Sequence, residues 1–257
     1  MHRPLILITN DDGIQARGIN VIAEVAARHA DVVVVAPNGP RSAQSSALTI
    51  ENPVMARREP NVGEIVRYST SGTPADCVKL AMSQLLNRKP SLLISGINHG
   101  SNSSVNVIYS GTIGAAIEGC QHNMPSIGFS LCDHSADADF SHAIPFFEEI
   151  IVKALESATP MPHNVCLNIN APVGPIKGVR VCHQGEALWA DEFIKDKAPR
   201  SNDYYWMVGD FKYTGDPTDH TADQIALDAG YISVVPVHVD MTAYHALDYC
   251  RIYEKED

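Results

Sequence analysis

The sequence has no run of basic residues, and its 257 residues carry a formal net charge of −11. An acidic chain without a basic patch does not suit a nucleic-acid duplex or an anionic membrane surface, so both are excluded as the main partner. A small phosphorylated ligand stays compatible with this charge. One metal ion or one helix N-terminus can reverse the potential locally.

Long apolar runs and paired cysteines are also missing. No uninterrupted apolar stretch reaches the roughly 18 residues that a transmembrane helix needs, and we expect no signal peptide before the first strand. The six cysteines form no C-x-x-C pair, and Cys77, Cys166 and Cys182 lie inside apolar stretches. This pattern is typical of buried free thiols. We therefore expect a soluble protein of a reducing cytoplasm.

Several well-known motifs are absent: GxxxxGK[ST], HExxH, GxSxG and the dinucleotide fingerprint GxGxxG. Asp133, Ser135, Asp137 and Asp139 resemble the start of a calcium loop. However, Ala138 and Ile144 stand where that loop needs its turn glycine and its bidentate glutamate. We interpret this stretch as a solvated loop.

What the chain does have is an alternation of apolar strands and helices over its first 170 residues. The pattern predicts strands at 5–9, 31–36, 65–69, 91–95, 126–130 and 165–169, and helices at 18–29, 74–86, 112–122 and 143–156. Continuous apolar strands separated by helices are typical of an α/β protein whose mostly parallel sheet is covered on both faces.

The pattern changes after residue 170. Alternating and aromatic segments from 171 to 219 predict β-hairpins, followed by a short helix at 221–228 and a strand at 231–239. We divide the chain into a core at 1–170 and an extension at 171–257, both parts of one domain. Its aromatic residues could pack on their own subunit or on a second one, and the sequence leaves both open. They are Trp189, Phe193, Tyr204, Tyr205 and Trp206.

Three polar clusters follow three of the predicted strands. They are Asn10-Asp11-Asp12-Gly13, Asn38-Gly-Pro-Arg-Ser42 and Gly96-Ile-Asn98-His-Gly-Ser-Asn102. The carboxyl ends of parallel strands lie on one edge of a sheet, where α/β proteins bind their ligands. We therefore expect the three clusters to meet in one crevice.

The chemistry of these clusters favours a hard divalent cation. Asp11 and Asp12 offer carboxylates, Ser42 a hydroxyl and Asn98 an amide oxygen, a set that suits Mg²⁺, Mn²⁺ or Ca²⁺. Two adjacent carboxylates repel each other unless a cation lies between them. For Asp12 alone, a helix N-cap or turn former is an equal alternative. His99 could contact substrate or be an ordinary loop residue.

A phosphate site is suggested by Ser110-Gly111-Thr112, which begins a predicted helix of small residues. Free N–H groups and two hydroxyls at a helix N-terminus bind anions. Gly72-Thr73 opens another predicted helix in the same way. Either could be simple capping, which is the commoner use of Ser and Thr, but beside a metal ion a phosphate site is the more economical interpretation.

Taken together, these residues resemble the SurE family, the stationary-phase survival proteins. The resemblance spans about residues 4 to 240 and is carried by "ILITNDDGI", "VVVVAPNGPRSAQSSALTI", "SGTPADCVKLA", "ISGINHGSN", "YSGTIGAAIEG", "CLNINAP", "YYWMVG" and "GYISVVPV". It implies a three-layer α/β/α Rossmann-like fold. It also implies a homodimer or homotetramer in which the C-terminal hairpins are used for oligomerisation.

The resemblance further implies a phosphatase of nucleoside 5′- and 3′-monophosphates that in some members also trims short polyphosphate. One Mg²⁺ or Mn²⁺ per subunit would be held by Asp11, Asp12, Ser42 and Asn98. Asn10, Asn102, Ser110, Gly111 and Thr112 would line the substrate side.

As mechanism we expect a metal-activated water, with Asp11 as ligand and base and Asp12 as ligand. A covalent aspartyl-phosphate is the less favoured route, since the two acids are adjacent rather than arranged as DxD. The alternatives are a non-catalytic nucleotide-binding or assembly protein, and a phosphatase for another phosphomonoester. The sequence departs from the family pattern at Arg17, Asn38, Ala43-Gln44 and Ser104-Val105-Asn106, which bears on substrate preference.

Overall fold

A computed structural model describes residues 3–197 and 203–255 of the chain. Thirteen strands lie in this part, nine of them in one sheet with the order β3-β4-β2-β1-β5-β6-β7-β13-β8. The strands are β1 (Leu5–Thr9), β2 (Asp31–Pro37), β3 (Ala56–Val62), β4 (Ile65–Thr70), β5 (Leu92–His99), β6 (Ser126–Leu131), β7 (Val165–Ala171), β8 (Val179–Val181), β9 (Ala187–Ala190), β10 (Phe193–Lys197), β11 (Asp203–Met207), β12 (Asp210–Tyr213) and β13 (Ile232–His238).

Neighbouring strands from β4 to β7 in this order pair in parallel, and β13 is antiparallel to β7. The helices are α1 (Arg17–Ala27), α2 (Pro74–Leu80), α3 (Gly111–Gln121), α4 (Ile144–Glu156), α5 (Asp223–Asp228) and α6 (Leu247–Cys250). The predicted α/β class with a mostly parallel sheet is confirmed.

Strand β1 shows why the sheet is covered on both faces. All five of its residues are buried, because successive side chains point to opposite faces and each face meets helices. Ile6 and Ile8 pack in the core with residues of α1 and α4. Leu7 packs in a second core with residues of α2 and α3. The result is the three-layer α/β/α arrangement.

Four details differ from the sequence prediction. Strand β3, with the polar sequence ARREPNV, was not predicted, because it is an exposed edge strand that buries no apolar face. The strand predicted at 91–95 continues as β5 to His99, so Asn98 lies in a strand. The helix predicted at 74–86 changes to a π-helical turn at Ala81–Leu85. The helix predicted at 221–228 begins at Asp223.

Residues after 170 contribute strands to the main sheet and also form two separate two-stranded ribbons. Strands β13 and β8 extend the main sheet, while β9 pairs with β12 and β10 pairs with β11 as antiparallel ribbons. The predicted hairpins are thus present, although the turn between β10 and β11 lies outside the described residues. Across residues 3–197 and 203–255, no helix is both long and apolar enough to cross a bilayer.

Candidate active site

The three polar clusters lie at the carboxyl ends of adjacent strands. Strand β1 is flanked by β2 and β5, with Ile8 opposite Val34 and Thr9 opposite Ser95. The loops that leave β1 and β2 therefore emerge beside the end of β5. We call this region the carboxyl edge of the sheet.

Asn10 closes the turn that leaves β1. Its Nδ2 donates to the Gly13 carbonyl (3.0 Å), and its Oδ1 accepts from the Gly13 N–H (3.1 Å). Gly13 has φ +95°, and a Cβ there would lie 3.0 Å from the Gly39 backbone, so both its conformation and its surroundings favour glycine. Asn10 is fully buried. In this structure it shapes the turn that presents the two acids.

Asp11 is buried against the start of α3. Thr112 Oγ1 donates to its Oδ1 (2.6 Å), and the Arg41 N–H donates to its backbone carbonyl (2.7 Å). Gly111 allows the approach, because a Cβ at that position would lie 2.9 Å from the Asp11 Cβ. Burial raises the pKa of Asp11 to about 6, with the Thr112 hydrogen bond opposing the rise and the negative charge of Asp12 adding to it.

Asp12 faces the end of β5. Its Oδ2 accepts from the His99 N–H at 3.3 Å, and burial raises the pKa of its carboxyl group. It is not the N-cap of α1, since that position belongs to Ala16. The alternative interpretation of Asp12 as a capping residue for this helix is therefore wrong. Its carboxylate is directed at the carboxyl edge of the sheet.

Asn98 and Ser42 each lie one residue from a group that bonds to these acids. Asn98 precedes His99, and Ser42 follows Arg41. The Asn98 Nδ2 donates to the Gly100 carbonyl (2.8 Å), whereas its Oδ1 accepts from no protein donor in the described part of the chain. The amide oxygen is thereby left available as a ligand. Ser42 is exposed on its loop.

His99 occupies the end of β5 rather than a free loop. Its Nδ1 lies 2.8 Å from the Ser135 carbonyl oxygen, and its ring packs edge-to-face on Phe140 with centroids 5.3 Å apart. Its Nε2 is buried with no hydrogen-bond partner among the described residues. These contacts attach the 132–142 loop to the carboxyl edge.

The start of α3 borders the candidate site through the contact of Thr112 with Asp11. Ser110 is its N-cap, and its Oγ accepts from the Ile113 N–H (3.1 Å). The N–H groups of Gly111 and Thr112 are too early in the helix to find an intrahelical acceptor, so they can bind an anion. At the other candidate anion site, Thr73 and Asp76 form a capping box. There the capping interpretation accounts for both side chains.

Asn102 is held in a buried amide network. Its Nδ2 donates to Ser130 Oγ (2.9 Å) and its N–H to Asn170 Oδ1 (2.8 Å), while its carbonyl accepts from Asn168 Nδ2 (2.8 Å). The contribution of Asn168 and Asn170 was not predicted. The signal was in the sequence "CLNINAP", where two amides alternate on one face of an otherwise apolar strand.

The charge at the carboxyl edge fits a divalent cation. Neither Asp11 nor Asp12 forms an ion pair with Lys, Arg or His within the described ranges, although Asp11 is buried and Asp12 is half-buried. Buried carboxylates need a partner of opposite charge. Among these residues no cluster of three or more His, Cys, Asp or Glu side chains could hold a metal. A cation here would therefore complete its coordination with neutral oxygens such as those of Ser42 and Asn98.

A family model and several curated proteins that resemble this chain belong to one family. Residues 6–191 match the family model described as "Survival protein SurE". A protein named 5′-nucleotidase SurE from Flavobacterium johnsoniae is 47% identical over 249 residues, covering 95% of this chain and 95% of that protein. Another of that name from Phocaeicola vulgatus is 42% identical over 255 residues, covering 99% of this chain and 98% of that protein.

A similar fold occurs in a solved structure. The crystal structure of the SurE protein from Aquifex aeolicus superimposes with a TM-score of 0.82 at 32% sequence identity. The match covers 98% of this chain and 100% of that one. The similarity therefore includes the hairpins and the C-terminal strand as well as the central sheet.

Proposed function

Because the chain belongs to the SurE family, we propose that it is a divalent-metal-dependent phosphatase that hydrolyses nucleoside 5′-monophosphates to nucleoside and phosphate. The observation that carries the proposal is the juxtaposition of Asp11 with Thr112. It brings a buried carboxylate at the end of β1 into contact with the anion-binding start of α3. A cation held by Asp11 and a phosphoryl group at the start of α3 would thus be neighbours.

Asp11, Asp12, Ser42 and Asn98 would hold the cation, with Mg²⁺ and Mn²⁺ as the expected ions. When bound, such an ion lowers the pKa of a coordinated water and neutralises charge on the phosphoryl oxygens. Asp11 supplies a carboxylate whose pKa burial raises to about 6 without a metal; a bound cation would lower this pKa, so the carboxylate would be ionised at neutral pH and able to accept a proton from the water. Thr112 fixes the orientation of this carboxylate.

The phosphoryl group would bind at the first turn of α3. Its N–H groups and the partial positive charge of the helix N-terminus favour an anion there. Gly111 keeps this turn free of a side chain, and the Asp11 carboxyl fills the space that a Cβ would take, so the carboxylate lies directly against the turn. Asn10 and Asn102 belong to the substrate side indirectly, because each shapes a loop that borders the crevice.

A substrate panel tests the reaction. We would measure phosphate release from 5′- and 3′-nucleotides, sugar phosphates and short polyphosphate, each with Mn²⁺ or Mg²⁺ and then with EDTA. We expect 5′-nucleotides to be cleaved, with 3′-nucleotides and polyphosphate as secondary substrates, and EDTA to stop the reaction reversibly. Chelator-insensitive hydrolysis would contradict the metal assignment. A preference for sugar phosphates would indicate another phosphomonoesterase, and nucleotide binding without turnover a binding protein.

We further propose that the chain forms a homodimer or homotetramer through its extension (residues 171–257), which we treat as a part of one domain with the 1–170 core. The support is the exposed apolar surface of the extension, where Trp206 is 61% and Tyr253 73% exposed. Surface of this kind marks protein–protein contacts. The free state of all six cysteines supports a cytoplasmic location.

A further inference from the structure

The segment between residues 100 and 110 joins two parts of the candidate site. It leaves the end of β5 just after Asn98 and His99, and it ends at Ser110, the N-cap of α3. Within it, Ser104 has φ +50°, a left-handed conformation that residues with a side chain rarely adopt. Such a conformation persists only when surrounding contacts fix it.

Asp223 provides those contacts. This residue, the first of α5, is fully buried. Its carboxylate accepts from the Ser104 N–H (2.7 Å) and the Ser104 hydroxyl (2.9 Å), and also from the N–H groups of Gly185 (3.0 Å) and Gln224 (2.7 Å). No Lys, Arg or His pairs with it in the described ranges. Its negative charge is therefore stabilised by these four donors alone, and such charge-assisted bonds are strong.

Two neighbouring contacts reinforce the attachment. Gln224 Oε1 accepts from the Ser103 hydroxyl (2.9 Å), and Trp189 Nε1 donates to Asn106 Oδ1 (2.9 Å). The segment is thus bound at Ser103, Ser104 and Asn106 by residues that lie more than 80 positions further along the chain. Asp223 bonds to none of Asp11, Asp12, Ser42 and Asn98 in the part that the structure describes.

We propose that Asp223 is a positioning residue for substrate binding. Through Ser104 it fixes the 100–110 segment, and the segment in turn fixes the anion-binding start of α3 relative to the carboxylates. The inference rests on the proposed phosphatase function. Because Asp223 contacts the segment and not the metal ligands, its loss should weaken substrate binding and leave metal affinity unchanged.

The main test is Asp223→Asn, which keeps the shape but removes the charge and one acceptor oxygen. We expect kcat/KM for a 5′-nucleotide to fall about 10- to 100-fold, since bonds to a charged group are lost, with most of the change in KM. Mn²⁺ affinity, measured by calorimetry, should stay within twofold of wild type. The control is Asp248→Asn, whose exposed carboxylate pairs only with Arg251 among the described residues and bonds to nothing in the 100–110 segment.

Ser104→Ala gives a milder second variant in case Asp223→Asn does not fold. It removes the hydroxyl donor but keeps the Ser104 N–H bond, so KM should rise about threefold. Hydrogen–deuterium exchange provides a readout that does not depend on activity. Exchange in 100–112 should become faster in both variants, while exchange in β1 and β5 should not change.

The outcomes separate this inference from the proposed function. Unchanged KM and unchanged exchange in 100–112 would overturn the positioning role. So would a fall in kcat alone that follows a lower thermal midpoint, because that result indicates a purely structural role. If wild type and Asp248→Asn both fail to hydrolyse any phosphomonoester, the phosphatase proposal fails. In that case the exchange data still decide whether Asp223 orders the segment.

Discussion

The carboxyl edge of the sheet has carboxylates without a positively charged partner, whereas the extension has apolar side chains without a covering surface. At the carboxyl edge, Asp11 is buried and Asp12 half-buried, and neither pairs with Lys, Arg or His in the described residues. In the extension, the β10–β11 ribbon exposes apolar side chains such as Ile194 and Trp206. The first region lacks positive charge, and the second lacks a covering surface.

This difference indicates two kinds of partner. A buried pair of acids is stabilised by a compact hard cation, whereas an exposed apolar ribbon is stabilised by another protein surface. The two regions are connected through the 100–110 segment, which Asp223 and Trp189 hold from the extension side. The following predictions test each side of the comparison, starting with the largest expected effect.

Removing one negative charge from the carboxyl edge should abolish the reaction. Asp12→Asn is expected to lower kcat/KM by roughly 10³-fold, because a charged ligand becomes a neutral one. The fold should be retained, since burial already disfavours the Asp12 charge. Steady-state kinetics with Mn²⁺ measure the loss of kcat/KM, and a thermal melt shows whether the fold is retained. Near-normal turnover of the purified variant would show that the cation is held elsewhere.

Charging the apolar ribbon should separate the subunits. Ile194 and Trp206 are cross-strand partners on β10 and β11. The double variant Ile194→Lys/Trp206→Lys is expected to raise the dissociation constant of the oligomer by roughly 10²-fold, since exposed aromatic and aliphatic anchors dominate interfaces.

Analytical ultracentrifugation measures this change, and Lys195→Ala on the same ribbon is the control, since Lys195 forms only an exposed ion pair with Asp203. A wild-type protein that is monomeric at micromolar concentration would refute the interface.

A methyl group beside Asp11 should misplace its carboxylate. In Gly111→Ala the new Cβ would lie 2.9 Å from the Asp11 Cβ and 3.1 Å from its Oδ2. We expect kcat/KM to fall about tenfold, because small displacements of a catalytic group are costly. Gly39→Ala is the matched control from a neighbouring loop, since nothing lies within 4 Å of its added Cβ. Equal activity of the two variants would argue against tight packing at Asp11.

The pH dependence of folding stability should reveal the buried negative charge of Asp11. The pKa of Asp11 is raised from 3.8 to about 6, so the folded state binds the proton more tightly than the unfolded state. Its contribution to stability is therefore full below about pH 4 and is lost as the pH rises towards 6.

With EDTA present, we expect the wild-type melting temperature to fall by roughly 5 °C relative to Asp11→Asn between pH 4 and pH 7. Mn²⁺ should remove this difference at pH 7. A constant gap between the two proteins at all pH values would mean that the Asp11 pKa is not raised.

The sequence by itself determined the α/β class and most of the sheet. Runs such as Leu5–Ile8 are apolar at every position, which only a strand buried on both faces requires. Helix-start residues were also predicted correctly, namely Thr73 as the N-cap and Pro74 in the first turn of α2. The family resemblance predicted that the acids and the start of α3 belong to one site.

Only the tertiary structure decided how these parts are held. The hydrogen bond between Thr112 and Asp11 joins residues 101 positions apart, and the bond between Asp223 and Ser104 joins residues 119 positions apart. No local pattern encodes such contacts, because they depend on strand order and on where the chain returns to the sheet. The edge strand β3 was missed for a related reason. Its backbone pairs with β4 while its side chains remain in solvent, so pairing left no hydrophobic signal in the sequence.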